Sequence, residues 1–204
     1  MKKCCQLCCL NWILVALCII RVCDGHPAWL HEKIDGTLTR ATLIEIDYTT
    51  RVLKVNLAAS TPGGPKKQEI LKLSPKPRFA VLTSAKLEDF KEFSFVKVEG
   101  KAQDRQRSFL AKSLTALPDW FPAEPGIDET TATGVLRRNR TGNLFIQAKR
   151  RMTQIQKTEK MQIHHFDERK DLFAIRKGQE ILMAKVQENG QQTITAVFVL
   201  KESS

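Results

Sequence analysis

The chain is 204 residues long, 42% hydrophobic and 27% charged, with 33 Lys and Arg against 22 Asp and Glu. That balance excludes a disordered tail and a multi-span membrane protein, and the length allows one ordinary domain or two small ones. All six cysteines (Cys4, Cys5, Cys8, Cys9, Cys18, Cys23) precede residue 24, so the remainder has neither a disulfide framework nor a thiolate zinc site.

Residues 1–25 read as a signal peptide. Lys2 and Lys3 give a positive start, residues 7–20 are apolar apart from Asn11, and Val22-Cys23-Asp24-Gly25 offers small residues for cleavage after Gly25. Arg21 ends the apolar run short of the ~20 residues a spanning helix wants. The expected location is secreted or periplasmic, or membrane-anchored if the segment is not cleaved. Lipid attachment at Cys18 is a variant of the anchor, with Leu17 bulkier than the usual preceding residue; acylation of the flanking cysteines is another. No integral membrane domain is expected beyond this segment. Residues 26–204 keep 30 basic and 21 acidic residues, divided evenly along the chain. An even surplus points to general attraction to polyanions rather than a dedicated basic arm.

From residue 36 onward the apolar residues alternate in short runs. Thr37-Leu38-Thr39, Thr42-Leu43-Ile44-Glu45-Ile46, residues 51–57, Glu69-Ile70-Leu71-Lys72-Leu73, residues 95–99 and residues 109–112 read as strands with one buried face. Turn formers separate them at residues 47–50 and at Thr61-Pro62-Gly63-Gly64-Pro65. Residues 84–90 suggest one short helix capped by Ser84. Residues 118–130 hold Pro118, Pro122, Pro125 and Gly126, which argue against any sheet strand there and mark a linker. Within it Trp120 and Phe121 are expected to pack on a neighbour, the alternative being an aromatic contact surface for a ligand.

The pattern then starts again. Gly134-Val135-Leu136 resembles Gly36-Thr37-Leu38, residues 144–148 take the part of 52–56, and residues 160–164 that of 69–73. Later the match runs without a gap at an offset of 85. Leu87, Phe90, Val96, Val98, Phe109, Ala111 and Leu114 fall on Leu172, Ile175, Ile181, Met183, Ile194, Ala196 and Val199. Because a one-residue slip turns a strand inside out, shared phase over this span is informative. The expected fold is all-β: two tandem OB-like β-barrels, residues 30–117 and 131–201, joined by the Pro-rich linker 118–130. Small antiparallel sheets hide their edges by closing in this way. The rival is a single larger β-sandwich built from both halves.

These motifs resemble a family of small exported bacterial β-barrel repeats of unknown function. Its units begin Gly-x-Val/Leu and place Leu-x-x-Gly-x-x-Val-x-Val-x-Gly before a last strand ending near Ala-x-x-Ile. The first half reads Phe90 to Gly100 with Phe93 at the first glycine, then Leu110 to Leu114. The second reads Ile175 to Lys185, with Gly178 present and Lys185 at the second glycine, then Thr195 to Val199. The resemblance covers most of residues 34–199 and implies a fold without a mechanism.

Residues 130–158 hold Arg137, Arg138, Arg140, Lys149, Arg150, Arg151 and Lys157 and no acidic residue, a candidate oligonucleotide or acidic-polysaccharide surface. If Arg140-Thr141-Gly142-Asn143 turns a hairpin, its two basic clusters lie on the order of 20 Å apart, which favours plain solvated charge with non-specific polyanion affinity. His164-His165 with Asp167 makes a poor metal set, since neighbours on a strand face opposite ways and no third ligand is evident. Cleavage after Gly25 would expose His26 as an N-terminal residue able to chelate copper with another histidine. Asn139-Arg140-Thr141 is a glycosylation acceptor in a eukaryotic host. Asp167, Glu168 and Asp171 beside Arg169 and Lys170 read as a solvated turn, and no catalytic motif appears. The expectation is a non-enzymatic binding or scaffold protein with no cofactor and an envelope or extracellular partner.

Overall fold

The computed structural model describes residues 36–58, 67–188 and 190–201. The signal segment, His26, His31 and the proline loop at 61–65 lie outside the described residues. The described chain is all-β. In order the strands are β1 (Thr37–Asp47), β2 (Val52–Leu57), β3 (Gln68–Ser84), β4 (Phe95–Gln103), β5 (Ser108–Ala116), β6 (Gly126–Ile127), β7 (Thr131–Arg138), β8 (Leu144–Ala148), β9 (Arg151–Arg169), β10 (Glu180–Glu188) and β11 (Gln191–Lys201). Helical structure among the described residues is confined to the single 3-10 turns Leu87–Asp89, Asp104–Gln106 and Leu172–Ala174.

Strand pairing closes two rings. In the first, β1 pairs β2, β2 pairs β3, β3 runs parallel to β11, β11 pairs β10, and β10 returns to β1. This is a closed five-stranded β-barrel, filled by Leu43, Leu53, Val55, Leu71, Ile181, Met183, Val197 and their neighbours. The second ring runs β4, β5, β9, β8, β7 and back to β4, with β5 and β9 parallel. Val96, Val98, Phe109, Leu114, Leu136, Leu144, Ile146 and Ile155 fill it. Alternation supplies the inward residues, and closure leaves neither ring an open edge.

Both rings draw strands from both sides of residues 118–130, so the expected division into barrels 30–117 and 131–201 is not how the strands close. The cause is the length of β3 and β9, 17 and 19 residues, each spanning roughly 55–65 Å at about 3.3 Å per residue. A strand that long runs out of its own ring and delivers the following hairpin to the other. The two strands meet antiparallel, Phe79 opposite Arg169 through Ser84 opposite His164, and so tie the rings together. Pro75 and Pro77 lie inside β3 at the handover. Pairing with β2 stops at Lys72, and the β11 register jumps from Leu73 to Arg78, so the prolines interrupt no ladder.

Positions 85 apart occupy matching places in the two rings. The 3-10 turns begin at Leu87 and Leu172, and β4 and β10 at Phe95 and Glu180. The bulges fall at Glu99/Gly100 and Ala184/Lys185, and Val96, Val98, Phe109, Leu114, Ile181, Met183, Ile194 and Val199 are all buried. The earlier matches need correction. Gly134 opposes Val96 as Ala41 opposes Ile181, so its counterpart is Ala41 rather than Gly36. Leu144 and Ile146 are buried as Leu53 and Val55 are, one position from the expected 52–56 match. Phe109 faces Ile155 as Ile194 faces Leu73, so the counterpart of 69–73 ends near 155 rather than 164. Each shift is odd, and it goes unmarked in the sequence because consecutive apolar residues, as in Val52-Leu53, Ile70-Leu71 and Leu144-Phe145-Ile146, leave the phase of these short runs open. Two local expectations also change. Ser84 ends β3, and the 3-10 turn is tied instead by the Lys86 amide donating to Asp89 Oδ2 at 2.9 Å. Gly126-Ile127 pairs with Thr133 and Ala132 despite Pro125, because a two-residue edge segment asks little of the proline beside it.

Candidate anion-binding end of the second ring

The basic residues of 137–157 separate into three places. Arg137 and Arg138 end β7, and Arg140 lies in the turn to β8. That turn is organised by Asn139, whose Oδ1 accepts from the Thr141 amide at 3.1 Å, the Thr141 hydroxyl at 2.8 Å and the Asn143 amide at 2.8 Å. The Asn139 side chain thus serves the turn within the sequon. Arg137 donates from Nε to Gln147 Oε1 at 2.9 Å, and its guanidinium stands 4.1 Å from the centroid of Phe93. Arg138 reaches the Leu87 carbonyl at 3.4 Å. Lys149 and Arg150 form the β8–β9 turn at the other end of β8, about 17 Å away at roughly 3.3 Å per residue. Lys157 lies along β9 opposite Ala111.

At the Lys149 end the fold adds cations that the segment alone does not contain. The β4–β5 turn passes through Asp104, Arg105 and Gln106, all with positive φ. It is held against β9 by three bonds: Arg151 to the Gln106 side chain, Thr153 Oγ1 to the Gln106 carbonyl at 2.8 Å, and the Gln154 amide to the Arg107 carbonyl at 3.0 Å. Lys101, Arg105 and Lys112 border one open hollow of about 580 Å³ there. Lys149, Arg150 and Arg151 border another of about 540 Å³. Acidic residues are present too. Asp128 is occupied by its own turn, accepting from the Thr130 and Thr131 amides and the Thr131 hydroxyl. Those bonds, led by the Thr131 hydroxyl, hold its pKa down at about 2. Asp104 accepts from the Ser108 hydroxyl at 3.1 Å, and Glu129 lines the first hollow.

Sequence reasoning missed Lys101, Arg105 and Lys112. The polar run Gln103-Asp104-Arg105-Gln106-Arg107 between two strands was the available signal, but nothing in it says that this turn meets Arg151.

Trp120 and Phe121 are buried, 2% and 5% exposed. Their rings lie 5.0 and 4.6 Å from Phe198, and Arg78 sits 5.5 Å over Trp120. His164 and His165 stand on β9 opposite Ser84 and Thr83, and the Thr83 hydroxyl lies 3.2 Å from His165 Nε2. Asp167, Glu168 and Arg169 belong to β9 rather than to a turn, since they continue the ladder with β3; Arg169 pairs Asp167 at 2.9 Å. Among the described residues no group of three His, Cys, Asp or Glu is placed to hold a metal ion, and no helix is long and apolar enough to cross a membrane. No family model, curated protein or solved structure matches the chain.

Proposed function

We propose that this is an exported, non-catalytic binding protein that holds acidic polymers, acidic polysaccharides first among them, at the Lys149 end of the second ring. The observation that carries this reading is the meeting of the β4–β5 and β8–β9 turns through Arg151 and Gln106, which gathers Lys101, Arg105, Lys149, Arg150 and Arg151 around two open hollows. Clustered cations on a rigid ring end bind a polyanion by releasing its counterions, without a shape-specific pocket. Arg137 and Arg138, engaged at the far end, contribute less. Export rests on the first 25 residues, and delivery outside the cytoplasm or anchoring at the envelope follows from whether that segment is cut. We further read each ring as an OB-type barrel and the two as copies of one unit, supported by turns, bulges and buried positions 85 residues apart.

The test is titration of labelled heparin against the protein across ionic strength. Affinity should fall steeply with salt, and Lys149→Glu with Arg150→Glu should weaken it about tenfold or more, whereas Arg138→Glu with Arg140→Glu should cost only a few-fold. Salt-independent binding, or equal losses from the two pairs, would overturn the assignment.

A further inference from the structure

A different site lies at an end of the first ring and does not depend on the reading above. Phe173 is 70% exposed and Tyr48 41%, and their rings stack 5.1 Å apart at 27°. The Tyr48 hydroxyl donates to the Ile175 carbonyl at 3.1 Å, which fixes the pair. The fold does not require an aromatic side chain there. Phe173 stands in its 3-10 turn where Glu88 stands in the matching turn of the other ring, and both positions are exposed. Beside the stacked rings is a hollow of about 400 Å³, bordered by Arg51, Pro75, Lys76 and Lys170. Arg51 donates one bond, to the Pro75 carbonyl at 3.0 Å, and a guanidinium has five N–H donors.

We propose that this hollow binds a short stretch of single-stranded nucleic acid, a base stacking on Phe173 while phosphates meet Arg51, Lys76 and Lys170. Two features select this class. The hollow's lining has cations and flat apolar surface but no carboxylate or amide side chain. An uncharged sugar polymer needs acceptors for its hydroxyls, whereas a phosphodiester needs only donors and positive charge, and the exposed face of Phe173 offers a base the flat partner that the other hollows lack. The site is also concave, while a bilayer surface is met by side chains that project. Two carboxylates stand near the hollow but outside its lining, Asp171 and Asp47, the latter with its oxygens accepting from Thr49 and Thr50. Stacking tolerates any base because every base has a π-face.

The experiment is fluorescence anisotropy of a labelled twelve-residue oligothymidylate with the intact protein. Phe173→Ala should weaken binding about tenfold, Phe173→Tyr should stay within twofold, and heparin affinity should be unchanged by either. The Phe173→Ala difference should persist in a Lys149→Glu, Arg150→Glu background, which separates this site from the other ring. Equal affinity of wild type and Phe173→Ala for the oligonucleotide would overturn the proposal. So would equally tight, Phe173-dependent binding of duplex DNA, or Phe173-dependent binding of anionic phosphatidylglycerol vesicles without binding of the oligonucleotide. Matching thermal melts for Phe173→Ala and wild type exclude a folding effect.

Discussion

Gly100 stands at the bulge between β4 and β5, where a Cβ would come within 2.0 Å of the Leu110 carbonyl oxygen. Gly100→Ala should therefore lower stability by about 3 kcal/mol, read as a reduced denaturant midpoint at unchanged slope. The matching bulge in β10 carries Lys185, whose Nζ reaches Glu69 at 2.7 Å with both side chains largely buried. One bulge thus requires glycine, while the other carries a side chain with a partner of its own. The Lys185 bond, helped by Lys67, holds the Glu69 carboxyl below its usual range, as the turn bonds hold Asp128. Both groups are more acidic folded than unfolded, so the unfolded chain takes up protons first as pH falls. Their stabilisation is complete above the ordinary carboxylate range and disappears as pH drops through the folded values, for Asp128 near 2. Chemical denaturation between pH 6 and 2 should show this loss, with a shallower slope at the acid end for Asp128→Asn.

The segment after β5 acts as a clasp. Phe198 on β11 points away from the interior filled by Val197 and Val199, yet it is fully buried because Trp120 and Phe121 cover it. Phe166 of β9 closes the cluster at 5.4 Å from Phe198. Trp120→Ala should cost about 3–5 kcal/mol. Trp120→Phe should cost far less, since the buried indole Nε1 has no hydrogen-bond partner among the described residues to lose. Thermal unfolding of the two variants distinguishes them. Here the sequence was legible in part. Prolines 118, 122 and 125 marked a segment outside the sheets, and aromatic bulk marked where it would pack, but the surface it covers is formed by β11, about 80 residues later. The extension of β3 through Pro75 and Pro77 was illegible for a related reason: proline forbids a strand only where a ladder partner is needed, and that depends on the neighbours.

At the scale of the molecule, the period-two pattern told which way each side chain faces and left open which strand lies beside it. Val96 and Ile181 were recognisable as inward residues, whereas their neighbours Gly134 and Ala41 come from the opposite side of residue 118–130 in each case. The anion-binding end was partly readable for the same reason: Lys149 to Arg151 stood out as charge, and the turn they meet did not. The exchange has a direct test. A protease site engineered at Glu124, which is exposed, should yield on cutting two fragments that stay together on size exclusion and separate only in denaturant. Two independent tandem barrels would come apart at once. The arrangement also bears on synthesis from the ribosome. β9, the last strand of the second ring to emerge, ends at Arg169, whereas the first ring waits for β11 at the carboxyl end. The earliest strands made are thus the last to gain all their partners, and until then the open sides of β1 and β3 are available to strangers.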